Sequence, residues 1–289
     1  MSANSVRSQV SPRLTAKDPF MQYRLFCSLL SAGLAVAAAP ALSHEFWIEP
    51  EKYQVESGEP VTARLRNGEL FKGAEQPYLD HRIARFEVMQ AGSAAPYAGR
   101  MGDMPAFTSG IAQDGLAVII HQTRPQRLVY ETWEDFQTFA DHKGFGDIRA
   151  RHRALGLPEA GFAEQYTRFA KALVAVGQGA GSDLPVGLET EIVALDNPYT
   201  GNSAQGLPVQ VLYQGRPRPH AQIEIFAKAP DAGVTVTTLP ADAQGKAVIP
   251  VLPGHRYLLD AVVLRPAPDG QDYAWESLWA ALTFAVPPR

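Results

Sequence analysis

Short segments in which apolar and polar residues alternate, cut by paired turn formers, run through most of this chain and confine it to an antiparallel β architecture. Val61-Thr62-Ala63-Arg64-Leu65-Arg66 alternates and then meets Asn67-Gly68, a pair that supplies the positive φ angles of a hairpin turn. Arg82-Ile83-Ala84-Arg85-Phe86-Glu87-Val88 alternates again, and Ala117-Val118-Ile119-Ile120-His121 reads as a buried strand. Beyond Val186 strands are expected near 189–195, 208–213, 221–228, 234–238, 246–250, 256–264 and 277–285, with turns at Gln214-Gly215, Pro253-Gly254 and Asp269-Gly270. Seven short strands in about 100 residues is the pattern of an immunoglobulin-like sandwich. The expected fold is therefore mainly β with a helical insertion: two β-sandwich domains, the second immunoglobulin-like.

The insertion begins where the period changes. Thr132 is placed to cap a helix carrying Trp133, Phe136, Phe139 and Ala140 at helical spacing toward His142. A second helix is expected from about Gly146 to Ala154. Beyond Pro158, the recurrence of Phe162, Tyr166, Phe169 and Leu173 predicts a third, up to Val176. Gly177-Gln178-Gly179-Ala180-Gly181-Ser182-Asp183 then reads as a flexible linker. This divides the chain into a leader (1–43), an N-terminal sandwich (44–131), an insertion with linker (132–183) and a C-terminal sandwich (184–289).

The leader carries Arg24 before an apolar run, Ser28 to Ala39, that ends in Ala41-Leu42-Ser43, a small-x-small cleavage pattern. Met21-Gln22-Tyr23-Arg24 already forms a charged n-region, so translation from Met21 is the alternative start. The apolar run is short for a membrane span. The expectation is export to the periplasm through a cleaved signal peptide, with no membrane anchor afterwards. Cys27, the chain's one cysteine, precedes the apolar run, so any metal site beyond residue 43 is limited to nitrogen, oxygen and thioether donors. The formal net charge is −4, and Arg7, Arg13, Lys17 and Arg24 against Asp18 leave −7 beyond residue 43. That sign disfavours nucleic acid as a partner.

Cleavage after Ser43 makes His44 the first residue, offering its α-amine and ring Nδ1 together. One further imidazole completes a three-nitrogen set suited to Cu(II), the arrangement called a histidine brace. The candidate second rings are His121, His142 and His152; His81, His220 and His255 sit at loop or strand edges. Met101 and Met104 form a weaker soft-ligand pair, which suits Cu(I). Nucleophilic catalysis finds no G-x-S-x-G elbow, no H-E-x-x-H helix and no phosphate loop. Glu189 and Glu191 alternate on one strand face and are expected at the surface, and Trp275 and Trp279 share a face expected to pack inward.

His44-Glu45-Phe46-Trp47-Ile48-Glu49-Pro50 resembles the mature start of a family of periplasmic proteins of unknown function often labelled NikM-like, a nickel-uptake component. Leu188 to Tyr199, Gly206 through Gly215-Arg216-Pro217 to Glu224, and Trp275 to Ala280 resemble the same family. The resemblance implies a periplasmic, metal-related, unanchored protein with an immunoglobulin-like second domain. The terminal histidine is similar to that of CopC-type copper carriers and of polysaccharide monooxygenases. Four functions follow: copper handling or uptake through the brace, nickel or cobalt capture for an uptake system, oxidative catalysis, and non-catalytic interaction with another envelope component. An inner-membrane transporter or reductase is the partner expected for a metal carrier.

Overall fold

The alternating segments assemble into three β-sheets, two of them laid on opposite faces of the third. The structure is a computed structural model that describes residues 44–288 except Ala112; the expected leader lies outside the described residues. In chain order the strands are β1 (Glu45–Pro50), β2 (Gln54–Val55), β3 (Pro60–Glu69), β4 (Lys72–Gln76), β5 (Ile83–Gln90), β6 (Ser93–Pro96), β7 (Phe107–Gly110), β8 (Gly115–Thr123) and β9 (Gln126–Tyr130). Helices α1 (Trp133–His142) and α2 (Ile148–Ala154) follow, then β10 (Phe162–Val176), β11 (Thr190–Ala194), β12 (Leu207–Tyr213) and β13 (Arg216–Pro217). The chain closes with β14 (Gln222–Lys228), β15 (Val234–Pro240), β16 (Lys246–Ile249), β17 (Arg256–Pro266) and β18 (Trp275–Ala285).

The central sheet runs β15-β14-β17-β18-β10-β8-β5-β6, so strands from both halves of the sequence interleave in it. β10 and β18 pair in parallel over Glu164–Ala172 and Trp275–Thr283; most other pairs are antiparallel. Sheet β1-β3-β4, with β7 paired to β3, covers one face; β11-β12-β13, with β16 paired to β12, covers the other. Side-chain parity sorts the two cores. Ala117, Ile119, Ala170, Ala172 and Val174 pack with Trp47 and Ile48 of β1, whereas Leu116, Val118, Ile120 and Leu173 pack with Ile192, Val209 and Val211 of the opposite sheet. Two β-sandwiches thus share one sheet.

That sharing overturns the third helix. Phe162–Val176 is a fifteen-residue strand, and its apolar residues recur every three or four positions because both of its faces are buried. A strand covered on both sides loses the polar alternation by which strands are recognised, and a dense apolar run is ambiguous with a helix. The expected α1 and α2 do form, with Thr132 accepting the Asp135 N–H as N-cap. They cover the same face of the central sheet as β1, further along, where Phe136, Phe139 and Ile148 meet Trp275 and Trp279. The glycine-rich segment before β11 is pinned as well. Asp183 is buried, accepts from the Ala194 N–H at 2.9 Å, and pairs with buried Lys171 at 2.8 Å. Glu191 is buried beside them, 3.7 Å from Lys171, and not on the surface, because the segment before β11 folds over it and its carboxylate accepts from the Val186 and Gly187 N–H groups.

Candidate functional site

Between the sheet of β1 and the two helices, the covered face of the central sheet carries a seam of charge. Glu45 opens β1, Glu224 lies on β14, Asp260 on β17, and His142 and Lys143 end α1. The last turn of α1 is anchored by Gly144, whose φ of +71° lets its N–H reach the Asp141 carbonyl at 3.1 Å. Gln222 of β14 donates to the His142 carbonyl at 2.8 Å, so the strand that supplies Glu224 also holds the helix end beside it.

Lys143 Nζ lies 2.6 Å from Glu224, 3.0 Å from Asp260 and 3.3 Å from Glu45, and 4.8 Å from the centre of the Trp279 ring. All four charged side chains are almost fully buried. His142 Nε2 lies 2.9 Å from Glu224 Oε1, and its ring is half-exposed. Glu45, His142 and Glu224 therefore present three ligand atoms within 4.8 Å of one another. Burial pushes the Glu45 carboxyl up to about 7, against the pull of Lys143. Burial also raises Asp260. Glu224 stays below the ordinary carboxylate range: burial works against its charge, but its bonds to His142 and Lys143 prevail. His142 is raised, chiefly by its bond to Glu224. One ammonium faces three carboxylates here, with His142 bonded to Glu224 and the Arg168 guanidinium acting on Asp260.

The other named candidates are not brought into this group. His44 is exposed and lines a shallow surface depression with the β3–β4 turn; it immediately precedes Glu45. His121 on β8 is buried between Phe46 and Phe86, ring centres 5.2 and 4.9 Å away, and neither nitrogen has a partner among the described residues. Burial pushes its pKa down to about 3. His152 on α2 is fully buried and uses both nitrogens: one meets the Pro158 carbonyl at 2.8 Å, the other accepts from Trp275 at 3.0 Å. Met101 and Met104 are both exposed in the loop before β7. Of the three candidate rings, only His142 lies against the residue that follows His44.

Sequence reasoning passed over Glu45, Lys143, Glu224 and Asp260. A signal existed for two of them. Glu224 in Ile223-Glu224-Ile225-Phe226 and Asp260 in Leu258-Leu259-Asp260-Ala261-Val262 are lone charges inside apolar strand runs, and such a group is buried at a cost unless it is paired.

The profile of the family described as "Domain of unknown function (DUF4198)" matches residues 41–265, which spans β1 through most of β17. The chain belongs to the DUF4198 family. That DUF4198 match takes in Glu45, His142, Lys143, Glu224 and Asp260. No curated protein matches. Among solved structures the chain is similar to the D0-D1 domain of intimin, at 12% identity over 82% of this chain and 97% of that one, with a TM-score of 0.19. It is also similar to a tetra-tandem repeat from the extending region of a large adhesion protein, at 10% identity over 83% of this chain and 49% of that one, with a TM-score of 0.20.

Proposed function

We propose that this DUF4198 protein is an exported metal-binding protein that takes up a divalent transition-metal ion, copper first, at the group of Glu45 and His142, next in sequence to His44. The observation that carries the reading is the convergence of Glu45, His142 and Glu224 within 4.8 Å, directly after the residue that export would leave first. Glu224, bonded to one nitrogen of the His142 ring, orients that ring and leaves the other nitrogen for an ion, as carboxylates do behind metal-bound histidines. Removal of residues 1–43 frees the His44 amine, which with Nδ1 and one His142 nitrogen makes the three-nitrogen set of a brace; Glu45 adds an oxygen. Metal binding must expel protons from Glu45 and His142, so affinity falls on acidification. Handling or delivery to an inner-membrane transporter or reductase in the periplasm is the role that follows.

The carboxylates beside His142 favour one second reading, capture of nickel or cobalt, since a mixed nitrogen and oxygen set suits those ions too. The test is a competition titration with Cu(II), Ni(II) and Co(II), read alongside Cu(II) electron paramagnetic resonance, on protein beginning at His44. A nitrogen-rich copper spectrum is expected, and a glycine left ahead of His44, or His142→Ala, should weaken copper by at least about tenfold. Unchanged affinity in both variants would sink the proposal, and a preference for nickel over copper would move it to the second reading.

A further inference from the structure

Beside Phe46, the first sandwich holds a half-open cavity of about 140 Å³ between the β1-β3-β4 sheet and the central sheet. Its polar lining includes Asn67, Gln76, Arg82, His121, Gln126 and Arg168, and no carboxylate lines it. Two of these groups combine burial with unpartnered nitrogens. Arg168 of β10 is about nine-tenths buried, its guanidinium 3.8 Å from the centre of the Trp279 ring; the charges of Asp260, Glu164 and Glu45 act on it from further off, but it forms no close ion pair among the described residues and its Nη1 has no hydrogen-bond partner. His121 is 2% exposed, and both of its nitrogens are unpartnered. A buried guanidinium and a buried imidazole cost stability where their nitrogens lack partners, and a ligand in the cavity they line would offset that cost.

We infer that this cavity is a binding site for a small carboxylate anion, held by Arg168 and His121 with Arg82 at its exposed rim. The chemistry selects the ligand class. A guanidinium presents a planar fork of N–H donors that matches a carboxylate, and stacking on Trp279 fixes the plane of that fork. The neutral His121 ring adds one N–H donor, and the amides of Asn67, Gln76 and Gln126 offer further donors. The volume is close to that of a cavity that admits benzene and accommodates a compact anion of about four to seven non-hydrogen atoms. Apolar walls from Phe46, Leu65 and Ile83 accept a short hydrocarbon portion. The site shares none of its lining with His44, Glu45, His142 or Glu224, and the inference stands independently of metal binding.

The test is isothermal titration and thermal unfolding of the processed protein with acetate, pyruvate, lactate and benzoate, with nitrate and phosphate as inorganic controls. Saturable binding of at least one carboxylate is expected below about 10 mM, in line with the few kilocalories that so small a ligand can contribute. Arg82→Gln, at an exposed position that leaves the core intact, should weaken that carboxylate by about tenfold, the worth of one charge-assisted contact. Arg168→Gln should abolish binding; if that variant does not fold, Gln126→Leu replaces it and should also weaken binding. No saturable carboxylate binding to the wild type, binding of inorganic anions alone, or full affinity in Arg82→Gln together with Gln126→Leu would each overturn the assignment.

Discussion

At the scale of single residues, this protein spends stability on buried polar groups that lack partners. His121 is the clearest case, an imidazole enclosed by Phe46 and Phe86 with both nitrogens unsatisfied. Its pKa of about 3 in the fold lies below the ordinary histidine value of 6.5, so between those limits the unfolded chain binds the proton and the fold does not. Stability contributed by the neutral ring is whole above pH 6.5 and falls as the pH drops through that window, by about 1.4 kcal/mol per pH unit. His121→Leu should therefore raise stability by about 1–3 kcal/mol at pH 7 by removing unpaired polar atoms, and by more at pH 5. Urea unfolding of both proteins at pH 7, 6 and 5 checks this, and parallel pH dependences would refute it. The residue was legible in the sequence as a strand-ending histidine. Its isolation was not, because nothing local to Ile120-His121-Gln122 says that two phenylalanines from other strands enclose the ring.

At the scale of elements, the end of α1 decides how the carboxylate seam is built. The sequence places the helix correctly, from the Thr132 cap to the aromatic stripe that meets Trp275 and Trp279. It does not say that Gly144 must sit against β14. A Cβ added there would collide with Gln222 Oε1, and the φ of +71° is costly for residues that carry a Cβ. Gly144→Ala is expected to lose about 1–2 kcal/mol and to displace the Gln222 bond to the helix end. Thermal unfolding reports the loss, and the ring resonances of His142 in an NMR spectrum should shift with it; an unshifted ring would mean that the cap does not position the site. β10 carries the opposite lesson. Its stretch of apolar residues was readable as a buried element, but the choice between strand and helix was made by two sheets closing on both of its faces.

At the scale of the whole molecule, Lys143 ties three separately built parts together: β1 through Glu45, the central sheet through Glu224 and Asp260, and the helical insertion to which it belongs. Lys143→Met removes the one ammonium from three buried carboxylates and should cost about 3–5 kcal/mol, because a charge stranded in the interior is worse than none. The loss should be local in hydrogen exchange. Amides of β1 and α1 are expected to lose protection while β11 and β12, on the other face of the central sheet, keep theirs; uniform loss would argue against the seam as the joint. The sequence alone determined the β class, most strand positions in the C-terminal half and both helices, since alternation, turn pairs and capping are local properties of neighbouring residues. Only the tertiary structure decided that the sandwiches share a sheet, that Glu191 is buried, and that charges from positions 45, 143, 224 and 260 meet, since nothing short of the folded topology brings segments so far apart in the chain within reach of one ammonium group.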